Sequence, residues 1–139
     1  MKHALIVVAS ATAGCLGSPE PVAIPTFGGV GPFEQTAQPV LVERCANPSC
    51  HGNAGRPLSL YGVRRHRKDA RDNFAETPLT SEETAHNHAQ ASAFLLGVDR
   101  ASDSLLLKKP LGDAHAGGAV FEDETEEAYV RLRAWCEAA

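Results

Sequence analysis

Apolar residues recur at Phe33, Ala37, Leu41 and Cys45, four apart, with Val40 beside Leu41, which is the pattern of one helical face. Pro39 falls inside this stretch. A proline in a helix interior costs about 3 kcal/mol, so either the helix kinks there or its regular part starts at Pro39 as a first-turn residue. In both cases a helix runs into Cys45. In RPLSLYG, Leu58 and Leu60 alternate, predicting a short extended or turn segment with both leucines inward. Thr80 followed three residues later by Glu83 is a capping-box signal, and TSEETAHNHAQASAFLLG continues as a helix with Gly97 as its stop. SDSLLLKKP predicts a short helix capped by Ser102 or Ser104 and ended by Pro110, and LGDAHAGG a loop. Asp123 with Glu126 resembles another cap. It precedes Tyr129, Leu132, Trp135 and Cys136, a stripe at helical spacing that makes Tyr129 and Trp135 core residues. No stretch alternates as a half-buried strand does, and no internal repeat stands out. The predicted fold class is all-α.

Before Phe33 the periodicity is lost. Residues 16–32, LGSPEPVAIPTFGGVGP, hold four Pro and four Gly and read as a tether. MKHALIVVASATAGC has a short cationic start, an apolar run and small residues up to Cys15, the build of a signal peptide. It is too short to remain as a membrane-spanning helix. Ala13 and Gly14 ahead of Cys15 resemble a bacterial lipoprotein processing site, which would lipidate Cys15; Thr12 departs from that motif, and ordinary signal cleavage nearby is the alternative. The expected organisation is a signal segment over 1–14, a lipidated start and tether over 15–32, and one domain over 33–139. The expected place is the periplasmic face of a membrane, held by a lipid anchor that does not cross it.

A length of 139 residues allows one such core. Five Phe, two Tyr and one Trp are few anchors for it, so a large apolar cofactor would help to explain its stability. A net charge of -4 lacks the basic face that nucleic-acid binding needs. Locally, RRHRKDAR at 64–71 is basic and EDETEE at 122–127 acidic. The first reads either as a solvated loop or as a docking patch for an acidic partner or a cofactor's carboxylates.

The candidate chemistry lies in ERCANPSCHG, where Cys45 and Cys50 are followed by His51. Two thiols can add to the vinyl groups of a haem while the next histidine ligates its iron, which is the logic of C-x-x-C-H attachment sites. Here four residues separate the cysteines, and the extra ones must bulge out; Asn47-Pro48 is a turn-forming pair suited to that. Lipidation of Cys15 would leave an odd set, Cys45, Cys50 and Cys136, in an oxidising compartment. Cys136 reads as a small buried residue. A Cys45–Cys50 disulfide is the competing reading, making the protein a non-catalytic exported lipoprotein module. Zinc is poorly served, since Cys50 and His51 are adjacent and no second ligand pair exists. A cysteine nucleophile would need a base that adjacency alone does not supply.

If haem is bound, its iron wants a second axial ligand. The only methionine is Met1, inside the signal segment, which leaves histidines. His66 lies in the basic run, and His86 and His88, two apart on a helix, cannot both face one interior site. His115 is favoured, because Gly117 and Gly118 let its loop approach a flat cofactor. An open sixth position, as in a haem sensor, is a third reading.

FEQTAQPVLVERCANPSCHG, PLSLYG, SLLLKKPLGDAHAGGAVF and AYVRLRAWCEAA together resemble small c-type cytochrome domains of planctomycete and myxobacterial secreted proteins. The resemblance covers about residues 33–139, with a weakly matched middle. It departs from the family in the widened cysteine spacing and in Cys136. It implies covalent haem c on Cys45 and Cys50, His51 as proximal ligand and His115 in the distal loop. It also implies a helical fold with first and last helices crossing, and electron transfer to a redox partner protein rather than enzymatic turnover.

Overall fold

The computed structural model describes residues 27–139, so the predicted signal segment 1–14, the lipidation of Cys15 and the tether as far as residue 26 lie outside the described residues. Five α-helices follow one another: α1 (Val30–Gln35), α2 (Ala37–Arg44), α3 (Ser81–Ala93), α4 (Leu105–Lys108) and α5 (Glu127–Ala138). Three 3-10 turns, Ala70–Asp72, Ala101–Asp103 and Lys109–Leu111, complete the regular structure. The described residues contain no strand, as an all-α chain requires. No helix among them is long and apolar enough to cross a membrane.

The tether predicted to reach Pro32 ends sooner. Helix α1 starts at Val30, and Phe27 is already fastened to α3: its N–H donates to Ser92 Oγ (3.3 Å) and its carbonyl accepts from His88 Nε2 (2.7 Å). Gly28 and Gly29, at φ 68° and 70°, turn the chain into the helix through a conformation that a Cβ disfavours. A glycine-rich composition thus conceals a built turn.

The first apolar stripe is continuous but is carried by two helices. The break is at Thr36 (φ -117°, ψ -67°), whose hydroxyl donates to the Pro32 carbonyl at 2.6 Å. Pro39 explains it: lacking an N–H, it leaves the Gln35 carbonyl without its helical donor. Arg131 Nη2 of α5 donates to that carbonyl instead, at 3.3 Å. The kink therefore lies one turn before Pro39, which sits in the first turn of α2. Phe33, Ala37, Val40, Leu41 and Cys45 are all buried, and α2 packs against α5, where Leu132 and Trp135 meet them. Phe33 abuts Trp135 edge-on, with ring centres 5.1 Å apart. Full burial of each such large side chain contributes about 1.5–3 kcal/mol.

The capping box at α3 forms as expected: Thr80 Oγ1 accepts from the Glu83 N–H (3.2 Å) and Glu83 Oε2 from the Thr80 N–H (2.9 Å). The helix stops at Ala93, ahead of Gly97, whose φ of 71° serves the turn that follows. Of the two serines proposed for α4, Ser104 is the cap. It accepts from the Leu106 N–H (3.1 Å) and donates to the Phe94 carbonyl (2.8 Å), tying α4 to the end of α3. The Asp123–Glu126 cap predicted for α5 does not form. Asp123 closes a local turn by accepting from the Thr125 N–H (2.7 Å), and Glu126 reaches Arg44 at the end of α2 (2.6 Å).

The basic run is exposed in large part, but most of its charges are paired. Arg67 is 2% exposed and lies side-on to the equally buried Glu83, with Nε–Oε1 at 2.9 Å and Nη2–Oε2 at 2.7 Å. Its remaining donors reach the carbonyls of Thr77 and Pro78, both at 3.0 Å. Around it, Arg64 pairs with Glu76, Lys68 with Glu82 and Arg71 with Asp69. A cluster that reads as positive in sequence is largely neutralised in space.

Between the two halves runs the segment 58–61, with Leu58 and Leu60 buried as the alternation predicts. No strand pairs with it. Side chains of α3 satisfy its backbone instead: His86 Nε2 donates to the Ser59 carbonyl (3.0 Å), Gln90 Oε1 accepts from the Ser59 N–H (3.1 Å), and Asn87 bonds both the N–H (2.8 Å) and carbonyl (2.9 Å) of Tyr61.

Candidate functional site

Helix α2 ends at Cys45, and the residues after it form a compact turn built on Asn47. The Asn47 carbonyl accepts from the N–H groups of Cys50 (2.8 Å) and Gly52 (2.9 Å), while its side-chain oxygen accepts from the Ser49 N–H (2.9 Å). Pro48 and Ser49 project to solvent as the bulge. The chain then returns so that the His51 N–H donates to the Cys45 carbonyl, at 3.1 Å. Widened spacing and close approach of Cys45 to His51 are therefore compatible. The return depends on Gly52, which is buried: a Cβ there would lie 2.2 Å from the Ala46 carbonyl oxygen and 2.9 Å from two backbone carbons. Sequence reasoning passed over Gly52; its place directly after the histidine was the available signal.

Cys45, Cys50 and His51 line one side of a mainly apolar cavity of about 290 Å³. Leu41 of α2, Leu58, Phe94, Leu105 and Leu106 of α4, Pro110 and Val120 supply much of its wall. The loop after α4 brings His115 into the same lining. The two imidazoles have ring centres 6.0 Å apart and planes within 5° of parallel. Both are oriented in the same manner. His51 Nδ1 donates to the Leu58 carbonyl (3.0 Å) and His115 Nδ1 to the Gly118 carbonyl (2.6 Å). A carbonyl can only accept, so the neutral form of either ring keeps its proton on Nδ1 and its lone pair on Nε2. Burial lowers the His51 pKa below the ordinary histidine value, against the opposing pull of the Leu58 carbonyl, so this ring is neutral at neutral pH. The Leu58 carbonyl is itself held in place by the α3 contacts on Ser59.

Both rings line the cavity with Nε2 free of protein hydrogen bonds among the described residues, as ligation of a metal ion would need. The distal loop is shaped for the task. Ala114 at φ 50° and Gly118 at φ 75° reverse the chain on either side of His115, and the Gly118 N–H donates back to the His115 carbonyl (2.9 Å). Gly118 is thus required for its backbone angle; a Cβ on Gly117 would make only ordinary contact with the His115 ring, at 3.5 Å.

Cys45, Cys50 and Cys136 are free thiols, so no disulfide joins Cys45 to Cys50 in this structure. Cys50 is exposed and Cys45 buried. Burial, reinforced by Cys50, pushes the Cys45 thiol up to about 11, which leaves it protonated and unsuited to act as a thiolate nucleophile at neutral pH. Cys136 is pushed up to about 12, chiefly by burial, and packs in the core away from this cavity. Among the described residues no group of three or more His, Cys, Asp or Glu side chains converges as a zinc site would need.

The remaining histidines among the described residues lie outside the cavity lining. His66 is half-buried against Tyr61 (ring centres 5.4 Å apart), His86 is spent on the Ser59 carbonyl, and His88 is buried against Phe33 (5.0 Å). Neither His86 nor His88 is therefore placed to face His51. No protein-family model, no curated protein and no solved structure matches this chain.

Proposed function

We propose that the chain is a monohaem c-type cytochrome that carries electrons by outer-sphere transfer, anchored to a membrane surface through lipidated Cys15. Cys45 and Cys50 would hold haem c through thioether bonds, and His51 and His115 would be its axial ligands. The observation that carries this reading is the pair of parallel imidazoles 6.0 Å apart in the lining of one apolar cavity, each held through Nδ1 by a backbone carbonyl so that Nε2 is free. Second-sphere carbonyls of this kind fix the tautomer and raise the basicity of a ligating histidine. Both cysteines line the same cavity as the rings, which two thioether bonds to one cofactor require.

When bound, the haem supplies a one-electron redox couple. Cys45, Cys50, His51 and His115 would hold it and the cavity's leucines would shield it; with two histidines on the iron it would serve electron transfer rather than enzymatic turnover. Two histidines in place of a His/Met pair lower the reduction potential. The electron donor and acceptor are redox partner proteins.

The deciding experiment is expression with cytochrome c maturation machinery, then denaturing electrophoresis with haem staining and a pyridine haemochrome spectrum. A stained band that survives denaturation and is lost in Cys50→Ser is the expected result. An unstained band with Cys45 and Cys50 oxidised together would replace this proposal with the disulfide-stabilised lipoprotein. A second expectation concerns the distal side: reduced His115→Ala should bind carbon monoxide, seen as a Soret shift, whereas the unaltered protein should not. Carbon monoxide binding by the unaltered protein would point to a ligand sensor with an open position.

A further inference from the structure

The cavity between His51 and His115 is lined by three cationic side chains, Arg44, Arg56 and Lys109, and by no aspartate or glutamate, on a chain whose net charge is -4. Arg44 is committed to Glu126 at 2.6 Å. Arg56 and Lys109 differ: among the described residues neither forms an ion pair. Arg56 Nη2 has only a long contact with the Ser49 carbonyl (3.5 Å), and Lys109 Nζ donates to the Ala114 carbonyl (2.9 Å). Arg56 is exposed and Lys109 half-buried, so both charges stay solvated while bordering a largely apolar cavity, a placement suited to receiving the anionic edge of an apolar ligand. The basic run at 64–71 is held in ion pairs apart from Arg65, which donates to the Glu43 carbonyl, and contributes nothing to the lining.

We infer that Arg56 and Lys109 form a carboxylate-binding pair for a planar dicarboxylate ligand of this cavity. The inference rests on the haem reading and names the residues that would receive the cofactor's two propionates. Arg56 follows the cysteine turn and Lys109 precedes the His115 loop, so the pair would draw both histidine-bearing segments onto one ligand. Lys109 already spans to Ala114, next to His115, and a carboxylate arriving there would extend that contact.

Covalent attachment would mask the effect on binding, so the test uses the full chain with Cys45→Ala and Cys50→Ala, titrated with ferric protoporphyrin IX and, separately, with its dimethyl ester. Binding is read from the Soret band. Arg56→Gln and Lys109→Gln are each expected to weaken binding of the free acid by roughly tenfold, the scale of a charge-assisted hydrogen bond, and to leave binding of the ester unchanged. Arg56→Lys should keep most of the affinity. Equal losses for acid and ester, or no loss for either, would overturn the carboxylate assignment while the six-coordinate spectrum upholds the haem reading. If neither compound gives a six-coordinate spectrum in the Cys-free parent, with helical circular dichroism intact, both proposals fall together.

Discussion

Gly52→Ala is expected to lower stability by about 3 kcal/mol or more, the upper range for overpacking a site that cannot yield, and to leave little or no covalently haem-stained protein. The size of the effect follows from what a methyl group would meet. Its nearest neighbours are backbone atoms of Ala46 and Asn47, the closest at 2.2 Å, and backbone cannot swing aside as a flexible side chain can. Relief requires the segments 46–47 and 51–52 to separate. That breaks the bond from the His51 N–H to the Cys45 carbonyl and moves His51 away from Cys45. Gly55→Ala is the control: its added carbon would meet only the Asn53 side-chain oxygen, at 3.4 Å, so stability should stay within about 0.5 kcal/mol. Urea denaturation of both variants, with haem staining after maturation, measures the contrast. Wild-type stability and staining in Gly52→Ala would show that the turn can relax and that its tight closure is dispensable.

Arg67→Met is expected to cost about 3–5 kcal/mol, because it leaves the Glu83 carboxylate buried without its partner. Much of that loss should return in Arg67→Met/Glu83→Gln, which removes the stranded charge while the amide oxygen can still accept from the Thr80 or Lys68 N–H. The pH dependence separates the two states. Arg67, together with the Thr80 and Lys68 N–H groups, holds the Glu83 carboxyl down at about 2 against an ordinary 4.5. A depressed carboxylate contributes stability that is complete above its unfolded-state value and is lost as pH falls through the folded one. Wild-type stability should therefore hold down to about pH 4.5 and decline towards pH 2. Arg67→Met should decline less steeply over that window, since protonation relieves its unpaired charge. Parallel pH profiles for the two proteins would refute a role for the pair in acid stability.

What could be read in advance was what is encoded locally. The α3 capping box needs only Thr80 and Glu83, and the α5 stripe only its own spacing, so both were legible. So was the presence of His115 in a loop between chain reversals, although Gly118 matters for its backbone angle rather than for room. The failures involve partners distant in sequence. Arg67 looked like one charge among five because Glu83, 16 residues on, was already accounted for as a capping residue; it does both. The helix break at Thr36 depends on Arg131 of α5 taking a carbonyl freed by Pro39, and no window around residue 36 contains Arg131. Phe27 looked like tether because its bonds go to Ser92 and His88.

The row of His86, Asn87 and Gln90 along α3 acts as a surrogate strand for residues 58–61. Information about where the His51 ring points is consequently stored on a different helix: α3 fixes Ser59, Ser59 fixes the Leu58 carbonyl, and that carbonyl aims the imidazole. Drift at α3 positions that never touch the cavity would detune the site, whereas the side chains of Ser59 and Tyr61 could vary with their backbone still gripped. The grammar of this site is written in amides and carbonyls, and a search tuned to its cysteines and histidines alone would miss half of it.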